Sequence, residues 1–427
     1  LSADALIGLV RTGFAQVPDS RADNTQIALG DALMAGFAVF ALKDPSLLAF
    51  EERRRRDGNL RRLFQMDQVP CDTQMRTLLD DVDPADLRPV FRRVHRELAT
   101  QKVLHQYTFL EESHLLALDG TGYFSSKKVH CEACQQKVNA KTGEVTYYHQ
   151  MLVGVLIHPT RREVLPVMLE PIQRADGVAK NDCERNAAKR LLNQLHQDYP
   201  QMHFTITEDA LSPNAPHIRE LLKYKYHFIL GVKPGDHAYL FEHVALTRQT
   251  GRTTEYEVQE GKTLHRFSFI NGVPLNQSRP DLLVNFVEYW EIKAGKTQHF
   301  SWVTDFTITR VNVMQIMRGG RARWKVENET FNTLKNQGYH FEHNFGHGEH
   351  HLAVVFAQLM MLAFLVDQIQ QLGDELFQAV LQKTKRLIRV RERMRAFFDT
   401  LEFNSMAELY HALLLGRLFH IEMGTSP

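Results

Sequence analysis

The sequence predicts an α/β fold with a helical region on each side of it. Between residues 106 and 237, short apolar runs that stop at turn residues alternate with stretches of helical periodicity, as in a core of strands and helices. Residues 1–105 and 349–427 carry apolar side chains at helical spacing, whereas residues 238–310 are rich in β-type runs. Residues 311–348 are helical again. We therefore expect an α/β core that is interrupted by a β-rich insertion and closed by a helix.

Length and composition are those of a globular protein. The 427 residues are 44% hydrophobic and 24% charged, with a net charge of +1, so the totals favour neither a disordered chain nor a uniformly charged surface. Any nucleic-acid surface has to come from local basic clusters. The four cysteines, Cys71, Cys131, Cys134 and Cys183, are sparse for this length and indicate a reducing compartment.

Three basic stretches are candidates for contact with nucleic acid. ERRRR (52–56) lies in the longer cluster EERRRRDGNLRR (51–62), for which we expect a loop or an exposed turn. RPVFRRVHR (88–96) and KTKRLIRVRERMR (383–395) have helical patterns. Taken singly, each stretch is more often a solvated surface than a binding site.

The core is predicted to contain three strands, a helix, a strand, a helix and a strand. The first strand, HLLALDG (114–120), is expected to stop at Asp119, which two glycines follow. The other predicted strands are 146–159, 162–171, 202–213 and 226–235, and the predicted helices are 180–200 and 215–225.

The helix predicted over RARWKVENETFNTLKNQG (321–338) carries a glutamate among its apolar residues. At about 100° per residue, Glu327 falls beside Leu334 and near Phe331, whereas Glu329 falls on the polar side. A buried carboxylate needs a partner or a cation, because burial of an isolated charge is costly. Trp302 and Trp324 are both expected in the core.

The longest apolar run, LAVVFAQLMMLAFLV (352–366), predicts a buried helix. It is shorter than the roughly 20 residues that span a bilayer, and charged or polar residues flank it. We therefore expect no membrane association.

Acidic residues at two strand ends predict a metal site. Asp119 and Asp209 end two of the predicted strands, and Glu327 is the third acid. Strand ends of α/β folds meet at one edge of the sheet, where sites form, and crowded carboxylates need cations such as Mg²⁺ between them. Two alternatives remain open. The aspartates are turn or cap residues, or Glu327 forms an ion pair with Arg323, one turn earlier.

Four stretches of the sequence resemble a known family. ALDGTGYFSS, ITEDALSPNAPH, HFILGVKPGDH and RARWKVENETFNTLK are similar, in order and wording, to the core of bacterial insertion-sequence transposases of the cut-and-paste DDE type. The resemblance covers roughly residues 20 to 370. It implies a ribonuclease-H-like catalytic core with a β-rich insertion. It further implies cleavage of DNA at transposon ends, followed by strand transfer of the freed 3′-hydroxyl into target DNA.

The resemblance also implies cofactors, partners and domain boundaries. Two Mg²⁺ ions are expected, with Mn²⁺ as a substitute, and the partners are terminal inverted repeats, target DNA and a second copy of the chain in a synapsed homodimer. The expected location is the bacterial cytoplasm at the nucleoid. The implied regions are a helical DNA-binding region 1–105, a ribonuclease-H-like core in 106–237 and 311–348, a β-rich insertion 238–310 and a helical C-terminal region 349–427.

The family pattern carries over to particular residues. It implies that Asp119, Asp209 and Glu327 are catalytic and hold the metal ions, with Glu208 as the alternative to Asp209. The family's helix signature is Tyr, two residues, Arg, three residues, Glu, six residues, Lys, and it implies DNA-phosphate contacts by Arg323 and Lys335.

Two departures from that signature are visible. The tyrosine position holds Gly320, and Lys335 lies eight residues after Glu327 instead of seven. The second departure leaves Glu329 as an alternative third acid, although the helical projection favours Glu327. An ion pair for Arg323 and a solvated side chain for Lys335 remain the alternatives to DNA contact.

HCEAC (130–134) contains half of a possible zinc site. A Cys-x-x-Cys pair supplies two of the four ligands that zinc needs, and the others would have to come from Cys183, His149 or a distant histidine. A reduced pair in a hairpin is the favoured interpretation. The histidine-rich HNFGHGEHH (343–351) is interpreted as a polar turn before the apolar helix, with metal binding as the alternative.

Two further functions remain open beside the transposase. One is a metal-dependent DNA nuclease that cuts without strand transfer, and the other is a catalytically inactive DNA-binding relative.

Overall fold

The computed structural model describes residues 1–21, 25–56, 58–177 and 180–416. The fold is α/β, with many helices and a mixed sheet. The chain divides into two compact units. The helical unit comprises Leu1–Gln101, Gly122–Gln150 and the described part of Thr330–Pro427, and the sheet unit comprises Lys102–Thr121 and Met151–Glu329.

Helices occupy both ends of the chain, and strands occupy its middle. The α-helices are α1 (Ala3–Phe14), α2 (Leu29–Ala41), α3 (Leu47–Arg54), α4 (Gly58–Leu63), α5 (Asp72–Asp80), α6 (Arg88–Thr100), α7 (Lys180–Asp198), α8 (Ala215–Lys223), α9 (Ala238–Gln249), α10 (Val313–Ala322), α11 (Asn332–Asn336), α12 (Leu352–Gly373), α13 (Glu375–Thr384), α14 (Leu387–Thr400) and α15 (Met406–Leu415). The strands are β1 (His114–Ser126), β2 (Gln135–Val138), β3 (Val145–Leu156), β4 (Leu165–Ile172), β5 (Phe204–Glu208), β6 (His227–Gly231), β7 (Thr254–Glu260), β8 (Thr263–Pro274), β9 (Leu283–Lys293) and β10 (Lys296–Thr304).

The apolar helix α12 is the core of the helical unit. It is long and apolar enough to cross a membrane, but 89% of its most apolar window is buried inside the protein. Its closest approach is to α2, where a side chain on Gly36 would meet Leu359 Cδ1 at 2.7 Å. The prediction of a buried core helix is therefore confirmed.

The sheet unit combines parallel and antiparallel strands. Its strand order is β3-β1-β5-β6-β10-β9-β8-β7, with β4 beside β3. The pairs β1–β5 and β5–β6 are parallel, and the pairs from β6–β10 to β7–β8 are antiparallel. The strands of the predicted insertion therefore extend the core sheet through β10, where Trp302 pairs with Gly231.

The predicted strands and helices are all present between β1 and β6, with the unpredicted short strand β2 in addition, but one detail is wrong. β1 does not stop at Asp119 and continues to Ser126, because Gly120 and Gly122 both remain outside the left-handed region and continue the strand. The region 238–310 begins with α9 and continues with the strands β7 to β10.

The basic cluster 51–62 is mostly helical and not a loop. Arg53 and Arg54 complete α3, where basic residues suit the negative end of the helix dipole. The Arg53 side chain is 8% exposed and forms an ion pair with Asp44 at 2.7 Å and another with Asp399. Of the four consecutive arginines, Arg55 and Arg56 are the two that are exposed.

Candidate active site

Asp119 and Asp209 occupy matching positions on two adjacent parallel strands. The last paired residues of β1 and β5 are Ala117 and Thr207. Two residues further on, Asp119 is still part of β1, whereas Asp209 is the first residue after β5. Adjacent strands are about 4.8 Å apart, which brings the two carboxylates to the same edge of the sheet. The predicted pairing of the two acids at a strand edge is present, although β1 itself continues beyond it.

The end of β5 is fixed by a buried ion pair behind Asp209. Glu208 Oε2 lies 2.6 Å from His217 Nε2 on α8, and both side chains are buried. Burial lowers the pKa of His217, but the neighbouring Glu208 charge and hydrogen bond outweigh it and raise the pKa above its ordinary value. Glu208, the alternative second acid, is thus already paired with a histidine.

Asp209 is held in a turn and remains half-buried. Its Oδ1 accepts a hydrogen bond from the Leu211 amide at 2.9 Å, as a short acidic side chain does when it stabilises its own turn. The alternative prediction that Asp209 is a turn residue is therefore confirmed. Oδ2 has no such partner assigned among the described hydrogen bonds, and the carboxylate lines the same cleft as Asp119.

Asp119 has the strongly shifted carboxyl group of this cleft. Burial raises its pKa from 3.8 to about 7, the positive charge of Arg323 opposes that shift, and the negative charges of Glu327 and Asp209 add to it. The Asp119 carboxyl therefore feels both of the other predicted acids. Crowded, partly buried carboxylates of this kind are typical of functional sites.

Arg323 connects two of the three predicted acids. Its Nη1 lies 3.6 Å from Asp119 Oδ2, and its Nη2 lies 2.8 Å from Glu327 Oε1. The Arg323 side chain is only 13% exposed. The alternative prediction of an ion pair between Arg323 and Glu327 is confirmed, and the guanidinium supplies the positive charge next to Asp119 and Glu327.

The expected burial of Glu327 is wrong. Its side chain is 47% exposed. The helical projection failed because α10 ends at Ala322 and a π-helical turn, Val326–Phe331, follows it. A π turn holds more residues than the 3.6 of an α-helix, so an advance of 100° per residue does not apply. Such turns are frequent at functional sites.

The remaining candidates lie elsewhere. Glu329 Oε2 is 3.3 Å from Arg162 Nε and has no such contact with Asp119, which favours Glu327 as the third acid. Lys335 belongs to the helical unit, where its Nζ lies 2.8 Å from Glu342 Oε1. The contacts of Lys335 are therefore those of a surface lysine, which was the alternative to DNA contact.

Trp302 leaves no room for a larger side chain at Gly320, the position at which the transposase signature has a tyrosine. A Cβ on Gly320 would lie 2.5 Å from Trp302 Cε2, so the indole fills the space that a tyrosine would need. Trp302 is buried, as predicted, in the core cluster of the sheet unit. Trp324 is exposed, so its predicted place in the core is wrong.

Glu184 is a further acid of this cleft that was not predicted from the sequence. Glu184 and Arg185 on α7 line the cleft together with Asp119 and Asp209. A Cβ on Gly120 would lie 2.6 Å from Glu184 Oε1, so the glycine after Asp119 makes room for this acid. The sequence of α7 did not indicate that Glu184 lies in a cleft, because adjacent charged residues such as Glu184 and Arg185 are usual on the solvated face of a helix.

The carboxylate oxygens of Asp119, Asp209 and Glu327 suit a hard divalent cation, but they are not arranged as a compact ligand set. Carboxylate oxygens are the ligands that Mg²⁺ prefers. The pKa of Asp119 is raised chiefly by burial, with smaller contributions from the negative charges of Glu327 and Asp209, and a bound cation would favour its ionised form. Among the described residues, the three acids are not a group whose oxygens all lie within 4.8 Å of one another. Arg323 stands beside Asp119 and Glu327 instead.

A second cluster of potential ligands lies in the helical unit. Cys131, Cys134, His149 and His347 bring one sulfur or nitrogen atom each within 4.8 Å of all the others. The interpretation of a reduced cysteine pair alone is therefore incomplete. The interpretation of HNFGHGEHH as only a polar turn is incomplete too, because His347 is buried in this cluster. The Cys-x-x-Cys spacing and His149 were visible in the sequence, but the distance of His347 along the chain hid the fourth member.

Comparison with known proteins does not assign the chain to a family. No protein-family model matches the chain, and a search of the curated proteins finds no match either. The resemblance to DDE transposases therefore rests on the four sequence stretches and on the arrangement of the acids.

Proposed function

We propose that the protein is a DNA transposase of the DDE type with a ribonuclease-H-like catalytic core. The observation that carries this proposal is the matched position of Asp119 and Asp209 on adjacent parallel strands, with Glu327 linked to Asp119 through Arg323. The order of β1, β3 and β4, then α7, β5, α8 and β6, supports it, with the short strand β2 as an addition between β1 and β3. So does the β-rich segment between β6 and the helix that precedes Glu327.

Asp119, Asp209 and Glu327 would hold two Mg²⁺ ions. Such ions supply charge neutralisation and activation of the attacking oxygen in phosphoryl chemistry, and Mn²⁺ would substitute for them. The protein positions the acids: the Glu208–His217 pair fixes the end of β5, and the Leu211 amide orients Asp209.

The contacts of Arg323 indicate a role in the absence of metal ions and DNA. It neutralises part of the charge on Asp119 and Glu327 while the site is empty of DNA. Because a guanidinium also binds phosphate oxygens with paired hydrogen bonds, DNA would compete with the two carboxylates for it. Lys335 is the second proposed phosphate contact, which requires it to leave Glu342.

The reaction consists of two balanced phosphoryl transfers. In the first, a water oxygen bonds to phosphorus at the transposon end, the bond to the 3′ oxygen breaks, and a 3′-hydroxyl and a 5′-phosphate result. In the second, that 3′-hydroxyl oxygen bonds to a target phosphorus and a target 3′-hydroxyl leaves. Neither step needs an oxidant or another co-reactant.

DNA is the proposed partner, and basic residues of the helical unit are its proposed contacts. Arg55, Arg56 and Arg395 line a broad surface groove, and phosphate neutralisation by such groups gives salt-sensitive affinity. Two transposon ends must be paired before they are cut, so a homodimer is the proposed active form. Action on DNA places the protein in the bacterial cytoplasm at the nucleoid, without a membrane.

The test is a joining assay with purified full-length protein. The donor is linear DNA that carries both flanks of the gene, the target is a supercoiled plasmid, and Mg²⁺ is present or replaced by chelator-treated buffer. We expect joined donor–target DNA that requires the metal ion. Glu327→Gln should abolish joining, and Glu329→Gln should retain it as the matched control.

Three results are distinguishable from the expected one. Metal-dependent cleavage without joined product would indicate the nuclease. Binding of the donor flanks without cleavage, in Mg²⁺ and in Mn²⁺, would indicate the inactive relative. Equal activity of wild-type protein and Asp119→Asn would refute an active site at these acids.

A further inference from the structure

The hairpin between β1 and β3 has almost no apolar core of its own. Between residues 125 and 148, the buried side chains are those of Cys134 and Gln135. Two of its three valines, Val129 and Val138, are 46% and 60% exposed, and the third, Val145, is only half-buried. A segment that buries so little apolar surface needs another source of stability, and a bound metal is one that small folds use.

Cys134 belongs to a cluster with the dimensions of a tetrahedral zinc site. The sulfurs of Cys131 and Cys134 are 3.9 Å apart, and Nε2 of His149 lies 3.1 Å from Nε2 of His347. Three sulfur–nitrogen distances are 3.6, 3.3 and 3.3 Å. A tetrahedron with zinc–sulfur bonds of about 2.3 Å and zinc–nitrogen bonds of about 2.0–2.1 Å has edges of about 3.8, 3.4 and 3.6 Å, respectively.

The histidines are oriented so that Nε2 is free to bind. His347 Nδ1 donates a hydrogen bond to the Gly348 carbonyl at 2.8 Å, which leaves the lone pair on Nε2. The rings of Tyr123 and Phe124 pack against His149 and His347, with centroids 5.8 and 4.5 Å away. These rings cover the two histidines, which are buried together with Cys134, while Cys131 remains half-buried.

The loop that carries His347 is held in place from outside the cluster. The Asp80 carboxylate accepts hydrogen bonds from four consecutive amides, those of Glu349, His350, His351 and Leu352, at 2.7 to 3.1 Å. Gly348 adopts φ = +70°, which is unfavourable for other residues. Fixing the loop beforehand lowers the entropy that metal binding must overcome.

We propose that Cys131, Cys134, His149 and His347 bind one Zn²⁺ in a closed structural site. Two thiolates balance the charge of the ion, and the two thiol protons are released on binding. Protein ligands fill all four positions, so no position is open for catalysis. The ion joins the hairpin to the segment before α12 within the helical unit, and this role is independent of the proposed DNA chemistry.

The experiment measures metal in the full-length wild-type protein. Protein purified without chelators, from cells grown with added zinc, should contain about one zinc per chain. Cys134→Ser and His347→Ala should lose it. Cys71→Ser and His351→Ala are matched controls outside the cluster, and both should keep it.

A second measurement does not depend on whether the variants fold. Zinc should leave wild-type protein under a strong chelator, two thiols should become reactive as it leaves, and Co²⁺ should restore a tetrahedral spectrum with a sulfur-to-cobalt charge-transfer band. Wild-type protein that holds less than about a tenth of an equivalent of zinc and gives no such spectrum would overturn the proposal. A disulfide between Cys131 and Cys134 in freshly purified protein would overturn it as well.

Discussion

Asp119 and Asp209 lie at equivalent positions of two neighbouring parallel strands, each two residues beyond the last pair, Ala117 and Thr207. Asp119 is still in β1 and Asp209 follows β5 in a turn, and both line the same cleft. The negative charge of Asp209 consequently contributes to the raised pKa of Asp119. This relationship requires both strands to be parallel and adjacent, which is why it carries more weight than either aspartate alone.

Glu327 and Glu329 should differ sharply in their effect on DNA cleavage. Glu327 shares Arg323 with Asp119, whereas Glu329 contacts Arg162. Because loss even of a residue that supports a metal ligand costs 10- to 100-fold, we expect Glu327→Gln to lower the cleavage rate at least about 100-fold. Glu329→Gln should change it by less than about threefold. Single-turnover cleavage of end DNA measures both, and the reverse order would assign the third acid to Glu329.

Asp119→Asn should stabilise the protein when Mg²⁺ is absent. The folded state holds the Asp119 proton up to about pH 7, but the unfolded chain releases it near 3.8. Between these values the folded state binds more protons, so stability falls as pH rises. At pH 8 the variant should be more stable by about 1–3 kcal/mol, with little difference at pH 4.

Urea unfolding at both pH values measures this difference. Buffers without divalent ions but also without chelator are needed, so that any zinc remains bound. A variant that is less stable than wild type at pH 8 would contradict the burial of an unfavourable charge at Asp119.

The sequence predicted the core elements because their patterns are local. Apolar runs bounded by glycine and proline define β3 to β6, and Asp209, the acid that follows β5, is visible without a structure. The extent of β1 was not predictable, because glycine permits a strand to continue as readily as it permits a turn. The burial of Glu327 failed for a related reason, since nothing local marks a π turn.

Long-range contacts account for the rest of what the sequence did not predict. His347 joins Cys134 across more than two hundred residues. Glu184 reaches the cleft because Gly120 leaves space for its carboxylate. Arg53 was expected on the surface, but Asp44 and Asp399 lie close enough to bury it. Such pairings depend on topology, which periodicity does not encode.

Lys43 should make stability depend on pH above neutrality. Its side chain is fully buried, where Nζ contacts Asp367 and the Phe40 carbonyl at 2.6 and 2.8 Å. Burial lowers the pKa of Lys43 from 10.5 to about 7, against the raising effect of Asp367. Between pH 7 and 10.5 the unfolded chain binds the extra proton, so stability rises with pH by about 1–3 kcal/mol from this group.

Lys43→Met should remove that rise. Thermal or urea unfolding of wild-type and variant protein at pH 7 and pH 9 measures it, and Lys296→Met, at an exposed hairpin position, is the matched control. The difference between wild type and Lys43→Met should change with pH, whereas the control should follow wild type. Parallel curves for all three proteins would show that Lys43 stays protonated across this range.

Arg55 and Arg56 should determine part of the salt dependence of DNA binding. Both are exposed in the groove that Arg395 also lines. Each phosphate contact contributes about 0.9 to the slope of log affinity against log salt on duplex DNA. The double variant Arg55→Ala/Arg56→Ala should therefore reduce the slope by up to about 2.

Fluorescence anisotropy of labelled duplex over a range of KCl concentrations measures this slope. Glu52→Gln, an exposed neighbour that loses a negative charge, should leave the slope unchanged or increase it. An unchanged slope in the double arginine variant would place the DNA on another surface.

Gly320→Tyr, which introduces the tyrosine of the transposase signature, should destabilise this protein. The side chain would collide with the buried indole of Trp302, and overpacking of a core costs about 1–3 kcal/mol or more. Trp302→Ala alone should cost about 3–5 kcal/mol through the cavity that it leaves. In the double variant the new ring can enter that cavity, so the loss of stability should be smaller than the sum of the single losses by about 1–3 kcal/mol.

Urea unfolding of the wild type, the two single variants and the double variant measures this coupling. Gly122→Ala, where a Cβ meets nothing nearer than 3.8 Å, controls for the loss of a glycine. Additive losses would mean that Trp302 is not what excludes the tyrosine.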